Sequence, residues 1–426
     1  MATTPTLLVG TTTSTTSTTL ATAGASGTTI VTNIVAANPD TSAQQLTLNL
    51  SNSGVSYPIL SGVSVPAQSS AFFDLKQVLG TSQTITGYST GGSGNPGAWA
   101  AGTNATANNW NSIATNGTGT WVAVGATTGA AATTTGIYST NNGQTWSTMT
   151  LPSSSIWTSV TYGNGVFVAI AGSGSATGTS TSTATAYSTN GSTWTAGGAL
   201  PSTTTWVSIA YGLVSGITPT FVVIAGAGTA GTAAAYSLNN GLTWTASTLA
   251  TSSTWQSVAF GSFSGGSPTF VAIAGGGTAG TVNGYSTTGT GTWTAGSALP
   301  SSTTWTSVTY GNGVFVAVAG AGTSGTINAY STTVGTWVAG SPLPSSAAWY
   351  GVTYSGGNFI AVGTNVAAYS QNNGANWTAF GTQPAVAMRA IASGQGATVS
   401  PAYGASTIEY SQLPTIALSI SGVVIV

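Results

Sequence analysis

Trp157-Thr-Ser-Val-Thr-Tyr-Gly-Asn-Gly-Val-Phe-Val-Ala-Ile170 returns almost word for word as Trp305-Thr-Ser-Val-Thr-Tyr-Gly-Asn-Gly-Val-Phe-Val-Ala-Val318. Each copy is two short apolar runs joined by a Tyr-Gly-Asn-Gly turn. Looser copies open at Trp110, Trp206, Trp255 and Trp349, so the unit recurs every 44 to 50 residues, and each copy runs on through a Tyr-Ser pair to a closing Trp. A period of that length, filled with short alternating strands and glycine turns, predicts the four-stranded blade of a β-propeller.

The 426 residues are 41% apolar, enough for a sizeable core in two or three domains. Only 1% are charged: Lys76 and Arg389 against Asp40, Asp74 and Glu409, with no histidine and no cysteine. Acid–base and nucleophilic catalysis use groups that exchange a proton near neutral pH. Hydrolytic and metal chemistry are therefore nearly excluded, and no catalytic residue, metal ligand or cofactor is expected. Asp40 reads as an Asx-type turn in Asn38-Pro39-Asp40-Thr41. Glu409 reads as an outward strand position, and Arg389 stands where a repeat would carry its opening Trp, within cross-strand reach of Glu409. Two basic side chains cannot displace the counterions of a polynucleotide, which argues against nucleic acid as a partner.

With a formal net charge of -1, solubility rests on hydroxyls and amides, a surface indifferent to salt and pH. The start, Met1 to Gly10, has no basic or apolar export signal, and no run reaches the length of a membrane span. That pairing of an extracellular type of surface with no visible export signal is expected of a protein assembled in a cell and released by lysis, as virions are.

Four regions follow along the chain. Residues 1–27, rich in Thr and Ser, read as an arm that could extend as a strand against a partner. Residues 28–90 alternate with period two between turns at Asn38-Pro39, Asn52-Ser-Gly54 and Val65-Pro66, which predicts a small antiparallel β-sandwich. Residues 91–97 are a Gly-rich hinge. Residues 98–426 hold the repeats. Trp99 sits in a blade-ending segment, and the echoes around residues 389–411 supply the missing strands, so that six blades and one shared between distant segments give a seven-bladed ring. A competing closure uses residues 419–426.

The words Asn38-Pro39-Asp40-Thr41, Leu46-Thr-Leu48 and Val65-Pro66-Ala67-Gln68-Ser69 resemble the small β-sandwich modules of tailed-phage virion proteins. Ser139-Thr-Asn-Asn-Gly-Gln-Thr-Trp146, with its counterparts ending at Trp194, Trp244 and Trp377, resembles the Asp-box of sialidase-like propellers, with Asn in place of Asp. Copies ending at Trp293 and Trp337 are further degraded. The box is a hairpin device: a side-chain oxygen caps turn amides, Gly takes positive φ, and the Trp fills the gap between blades. Sialidase chemistry needs an arginine cluster and a carboxylate set that this chain lacks. Trp146, Trp194, Trp244, Trp293, Trp337 and Trp377 are accordingly expected in the core. Aromatics outside the register, Tyr350 and Phe263, are the candidates for ligand contact, and the longer loops before Phe221 and Phe270 mark one face as variable.

All-β architecture, no catalytic apparatus and a virion-like module together imply a non-enzymatic structural protein of a phage particle, in head decoration, fibre or tail. Its arm and sandwich would meet other virion proteins at the virion surface, with no membrane insertion, and the resemblance implies a homo-oligomer such as a trimer. One alternative is an adhesin module that holds surface glycans. Another is an extracellular sheath or filament subunit whose arm donates a strand.

Overall fold

The computed structural model describes residues 4–12, 18–22, 28–38, 44–52, 55–66, 69–80, 83–91, 99–141, 143–172, 182–226, 233–275, 282–321, 327–394, 397–401, 403–412 and 417–425. Every regular element among the described residues is a β-strand. The chain divides into two compact units, Met1–Gly97 together with Gln412–Val426, and Ala98–Ser411.

The first unit contains two four-stranded antiparallel sheets. One has the order Thr4–Thr12, Ala417–Ile425, Thr28–Asn38, Ser69–Leu79; the other runs Thr18–Thr22, Thr84–Gly91, Gln44–Asn52, Val55–Val65. A single apolar cluster draws Val31, Ile34, Ala36 and Leu79 from the first sheet and Leu46, Leu48, Val65 and Ile85 from the second. Val31 and Ile34 are both buried although an odd spacing should send them to opposite faces. A register shift between Val31 and Asn33 resolves this, because one extra residue resets the alternation and returns Ile34 and Ala36 to the core.

Two expectations are corrected here. Thr4–Thr12 and Thr18–Thr22, read as a separate arm, are strands of these sheets, pairing with Ala417–Ile425 and Thr84–Gly91. The repeat region does not extend to residue 426, because Ala417–Ile425 lies between Thr4–Thr12 and Thr28–Asn38 and exchanges backbone hydrogen bonds with both. A strand with neighbours on both sides leaves no row of donors and acceptors unpaired, which is the gain from sending it there. The Asp40 turn and residues 92–97 of the expected hinge lie outside the described residues.

The second unit contains five four-stranded antiparallel sheets whose inner strands are Trp157–Gly163, Trp206–Val214, Trp255–Ser262, Thr304–Gly311 and Trp349–Ser355. A seven-stranded sheet runs Ser147–Ser155, Thr133–Ser139, Trp121–Ala126, Ala100–Thr115, Tyr403–Gln412, Ala397–Pro401, Ala392–Gly394. Its long central strand works in two directions: residues from Asn109 onward pair with Trp121–Ala126, and residues 100–109 pair with Tyr403–Gln412. Each inner strand lies beside the inner strand of the next sheet, and Ala392–Gly394 touches both Trp349–Ser355 and Ala100–Thr115, which closes the circuit. The fold of this unit is a β-propeller.

Sequence and packing agree strand by strand. Second strands such as Val166–Ala171 and Asn358–Gly363 are buried at every residue, because sheets cover both of their faces, and they read as unbroken apolar runs. Outermost strands such as Thr195–Ala196 are two exposed residues, short enough to make a poor template for aggregation. Inner tryptophans from Trp110 to Trp349 are at most 1% exposed. In four of them the indole N–H donates to the carbonyl four residues earlier, as from Trp206 to Ser202 at 3.0 Å.

The Tyr-Gly pair has a physical cause. The glycine of one blade leaves the slot that the next blade's aromatic ring occupies: a Cβ on Gly163 would lie 2.0 Å from Tyr211, and Gly212, Gly261 and Gly311 face Phe260, Tyr310 and Tyr354 in the same way. Each ring then packs on its own blade's phenylalanine, as Tyr211 does on Phe221 with centroids 4.9 Å apart.

Candidate functional site

The inner strands begin at one end of the propeller axis, and the residue after each inner tryptophan points into a cavity there of about 200 Å³. Asn111, Thr158, Val207, Gln256, Thr306 and Tyr350 take that position, and Arg389 joins them from the segment before Ala392–Gly394. A second cavity of about 370 Å³ shares Asn111, Thr158, Val207, Gln256 and Arg389 and adds Asn109, Ala126 and Ala130. Among the described residues, Arg389 is the only side chain lining either cavity that carries a formal charge. Its guanidinium carbon sits 5.1 Å from the centre of the Tyr350 ring, a cation–π distance.

Below this mouth the next residue is serine in five blades. Ser112, Ser159, Ser208, Ser257 and Ser307 each accept a hydrogen bond from a backbone N–H of the following blade, at Val160, Ile209, Val258, Val308 and Val352, over 3.1 to 3.3 Å. Mouth residues add to the stitching. Asn111 Nδ2, Thr158 Oγ1 and Thr306 Oγ1 each donate to the carbonyl of the next blade's tryptophan at 2.9 Å. The mouth is thus a rigid ring, tied blade to blade, with a variable side chain at each station.

Tyr350, expected to be available to a ligand, is at this mouth. Phe263 is a correction: it is 5% exposed and its ring packs against Phe315 of the next blade at 5.0 Å, because the longer hairpin folds its aromatic back over the sheet edge. A second correction concerns Arg389. The site of an opening tryptophan is taken by Met388, which is wholly buried beside Trp99, Ile360 and Phe380, so Arg389 falls one place later, at the mouth. The side chain of Glu409 lies outside the described residues; its backbone is opposite Ala101.

The boxes occupy the other end. In the first, Gly143 N–H donates to Ser139 Oγ, Thr145 N–H donates to Asn141 Oδ1 at 3.0 Å, and Trp146 Nε1 donates to the Gly143 carbonyl at 2.8 Å, with Gly143 at φ 80°. Asn141 Nδ2 also donates to Thr145 Oγ1, a bond that an aspartate could make only with the hydroxyl turned round. Trp146, Trp194, Trp244, Trp293, Trp337 and Trp377 are 2 to 9% exposed, in the core. Asn164 of one hairpin donates to Asn240 of the next blade's box at 2.9 Å, which places turns and boxes on a common face. On it Leu213, Ile217, Leu238 and Leu242 are exposed. Burial raises the hydroxyl pKa of Tyr211 and Tyr354 above the ordinary tyrosine value; a hydrogen bond from the Asn164 backbone offsets this in part at Tyr211.

Composition and register did not single out the mouth, apart from Tyr350. The signal was present as the one position that varies freely in an otherwise constant phrase, the residue after the inner tryptophan.

Comparison with known proteins agrees with the fold. A model of the BNR/Asp-box repeat matches residues 137–148, a range that contains the first box. No curated protein matches the sequence. Among solved structures, YCF48 bound to a D1 peptide is similar with a TM-score of 0.53 and 16% identity over 75% of this chain and 95% of that one. Virginiamycin B lyase from Staphylococcus aureus is similar with a TM-score of 0.58 and 14% identity over 74% of this chain and 99% of that one. YCF48 from Cyanidioschyzon merolae gives 0.51 and 13% over 74% and 98%. Such identities speak for the fold alone, a β-propeller with BNR-type repeats.

Proposed function

We propose that the chain is a non-enzymatic structural protein of a phage particle, in which a small β-sandwich anchors a seven-bladed propeller displayed at the virion surface. The blade count takes the five four-stranded sheets and divides the seven-stranded sheet into two blades that share Ala100–Thr115. The two N-terminal sheets around one apolar cluster are the sandwich.

One observation carries the reading: among the described residues, the axial mouth offers amides, hydroxyls, a phenol and a guanidinium, and no side chain that could act as a general base or nucleophile near neutral pH. Such a ring can hold a ligand and has nothing with which to transform it. A lyase with a similar fold does not weigh against this, since function resides in the site and not in the scaffold. Immunogold labelling of particles from a lysate tests the proposal. Label on heads or tails supports it, while unlabelled particles with all of the chain in the soluble fraction refute it.

A second reading, an adhesin module holding surface glycans, is favoured by Tyr350 and Gln256 at the mouth and is compatible with the first. Binding on a glycan array that Tyr350→Ala abolishes would support it, and silence on a broad array would count against it.

A further inference from the structure

Asparagine is followed by glycine eight times in this chain, at Asn116, Asn142, Asn164, Asn190, Asn240, Asn283, Asn312 and Asn373. The pair carries a chemistry of its own. A glycine nitrogen has no side chain beside it to obstruct approach to Cγ of the preceding asparagine, and that attack is the first step of spontaneous deamidation. The nitrogen must give up its proton to attack, so whatever holds the glycine N–H slows the reaction.

At five of the eight pairs a hydroxyl holds it. Gly117 donates to Thr115 Oγ1 at 3.1 Å. In the boxes Gly143, Gly191, Gly241 and Gly374 donate to the hydroxyls of Ser139, Ser188, Ser237 and Ser370 over 2.8 to 3.1 Å, and all four bonds are buried. Asn283 is protected differently, being 1% exposed within the strand Asn283–Ser286. The box serine therefore shapes its turn and also withholds the nucleophile.

The remaining pairs are Asn164-Gly165 and Asn312-Gly313, the two-residue turns that join Gly163 to Val166 and Gly311 to Val314. Both residues of each turn have positive φ, between 48° and 80°, as a type I′ hairpin requires. Neither Gly165 nor Gly313 donates a hydrogen bond among the described residues, and both asparagines are exposed. The side chains of Asn164 and Asn312 are held by exposed bonds from Nδ2 to Oδ1 of Asn240 and Asn373, each 2.9 Å. Bonds of that kind open readily, because water replaces the lost partner.

We propose that Asn164 and Asn312 are deamidation sites at which the propeller acquires negative charge as it ages, while the box serines keep the box asparagines intact. The Gly165 nitrogen bonds to Cγ of Asn164, the Cγ–Nδ2 bond breaks, and the glycine's amide proton leaves with Nδ2 as ammonia. Water then opens the five-membered imide at either carbonyl, which leaves aspartate or isoaspartate. Gly313 and Asn312 react alike. Each event adds one carboxylate, so two take the formal net charge from -1 to -3. Each also replaces a donor by an acceptor opposite Asn240 or Asn373, whose amide must turn to present its Nδ2.

The test incubates the full chain in mildly alkaline buffer, folded and in urea, and follows the gain of one mass unit at each asparagine by peptide mapping. In urea the Asn-Gly pairs should react at similar rates. In the folded chain Asn164 and Asn312 should outpace Asn190, Asn240 and Asn373 by about tenfold, the factor that one ordinary hydrogen bond is worth. Ion-exchange chromatography should resolve species with one and two added charges, the first eluting with an Asn164→Asp variant. Ser188→Ala frees the Gly191 N–H and should raise the rate at Asn190 by a similar factor while leaving Asn164 unchanged. If that variant fails to fold, the site-by-site rates of the parent still decide. Equal slowing of every pair on folding, box asparagines that react ahead of the hairpin ones, or a folded Ser188→Ala variant with Asn190 no faster overturns the proposal.

Discussion

Gly163→Ala is the sharpest test of how the blades interlock. The new methyl carbon would lie 2.0 Å from the Tyr211 ring, where ordinary carbon contacts need about 3.5 to 4 Å, so about 1.5 Å of movement must be found. The ring cannot simply retreat, since Phe221 stands 4.9 Å behind it and Tyr211 is in contact with the backbone at Asn164. Overpacking of this kind costs about 1 to 3 kcal/mol, and a ring held on both sides places this case at the upper end. A loss of about 3 kcal/mol should lower the propeller's melting temperature by about 4 to 6 °C in scanning calorimetry. Gly381→Ala, with nothing near its would-be Cβ, is the control and should be neutral. In the double variant Gly163→Ala with Tyr211→Ala the clash disappears, so the two losses should fall short of additivity by about 2 kcal/mol. Strict additivity, or a Gly163→Ala variant as stable as the parent, would refute the slot-and-ring account of the Tyr-Gly repeat.

Ser208→Ala removes the acceptor of the Val258 N–H, which should cost about 1 to 3 kcal/mol and speed hydrogen exchange at that amide above its neighbours. In the third box, Asn239→Ala should cost about 1 to 2 kcal/mol by freeing the Thr243 amide, while Asn239→Asp should melt at the parent's temperature or above, both read by thermal denaturation. Without histidine or cysteine the stability should be nearly flat from about pH 6 to 9. It should then fall as pH climbs past the ordinary tyrosine value of 10.0, because burial raises the pKa of Tyr211, Tyr354 and Tyr369 in the folded state; the folded form then holds protons that the unfolded form has released, and chemical denaturation across this range measures the slope. Deleting residues 417–425 should abolish the melting transition of the N-terminal unit and leave that of the propeller, a separation visible by calorimetry.

Much of the propeller could be read from the chain because its devices are local and recur. Trp at a fixed station, the Tyr-Gly slot and the Ser-x-Asn box each announce one blade, and the period announces their stacking. What escaped the reading was non-local. Nothing near Ala417–Ile425 says that its hydrogen bonds go to Thr4–Thr12, because a strand of that composition pairs equally well with many edges. Phe263 looked like a loop aromatic because sequence does not tell which way a hairpin folds over its neighbour. At the site, Tyr350 was legible as an aromatic out of register, while Gln256 and Asn111 were not, since an ordinary amide acquires meaning only when the inner strands converge on one axis. Arg389 was legible as a rarity and misplaced by one residue, because methionine filling a tryptophan's berth leaves no repeat word to align on.

The strand Ala100–Thr115 has a bearing on synthesis. Half of its hydrogen-bonding length is reserved for Tyr403–Gln412, which emerges from the ribosome some three hundred residues afterwards. During all of that elongation the nascent chain carries an unfilled edge, and only arrival of the late partner seals it. Translation that stops short therefore yields a product with an open flank, ready for capture by chaperones or by another unfinished copy, so completeness of the message is checked by the geometry of the product itself.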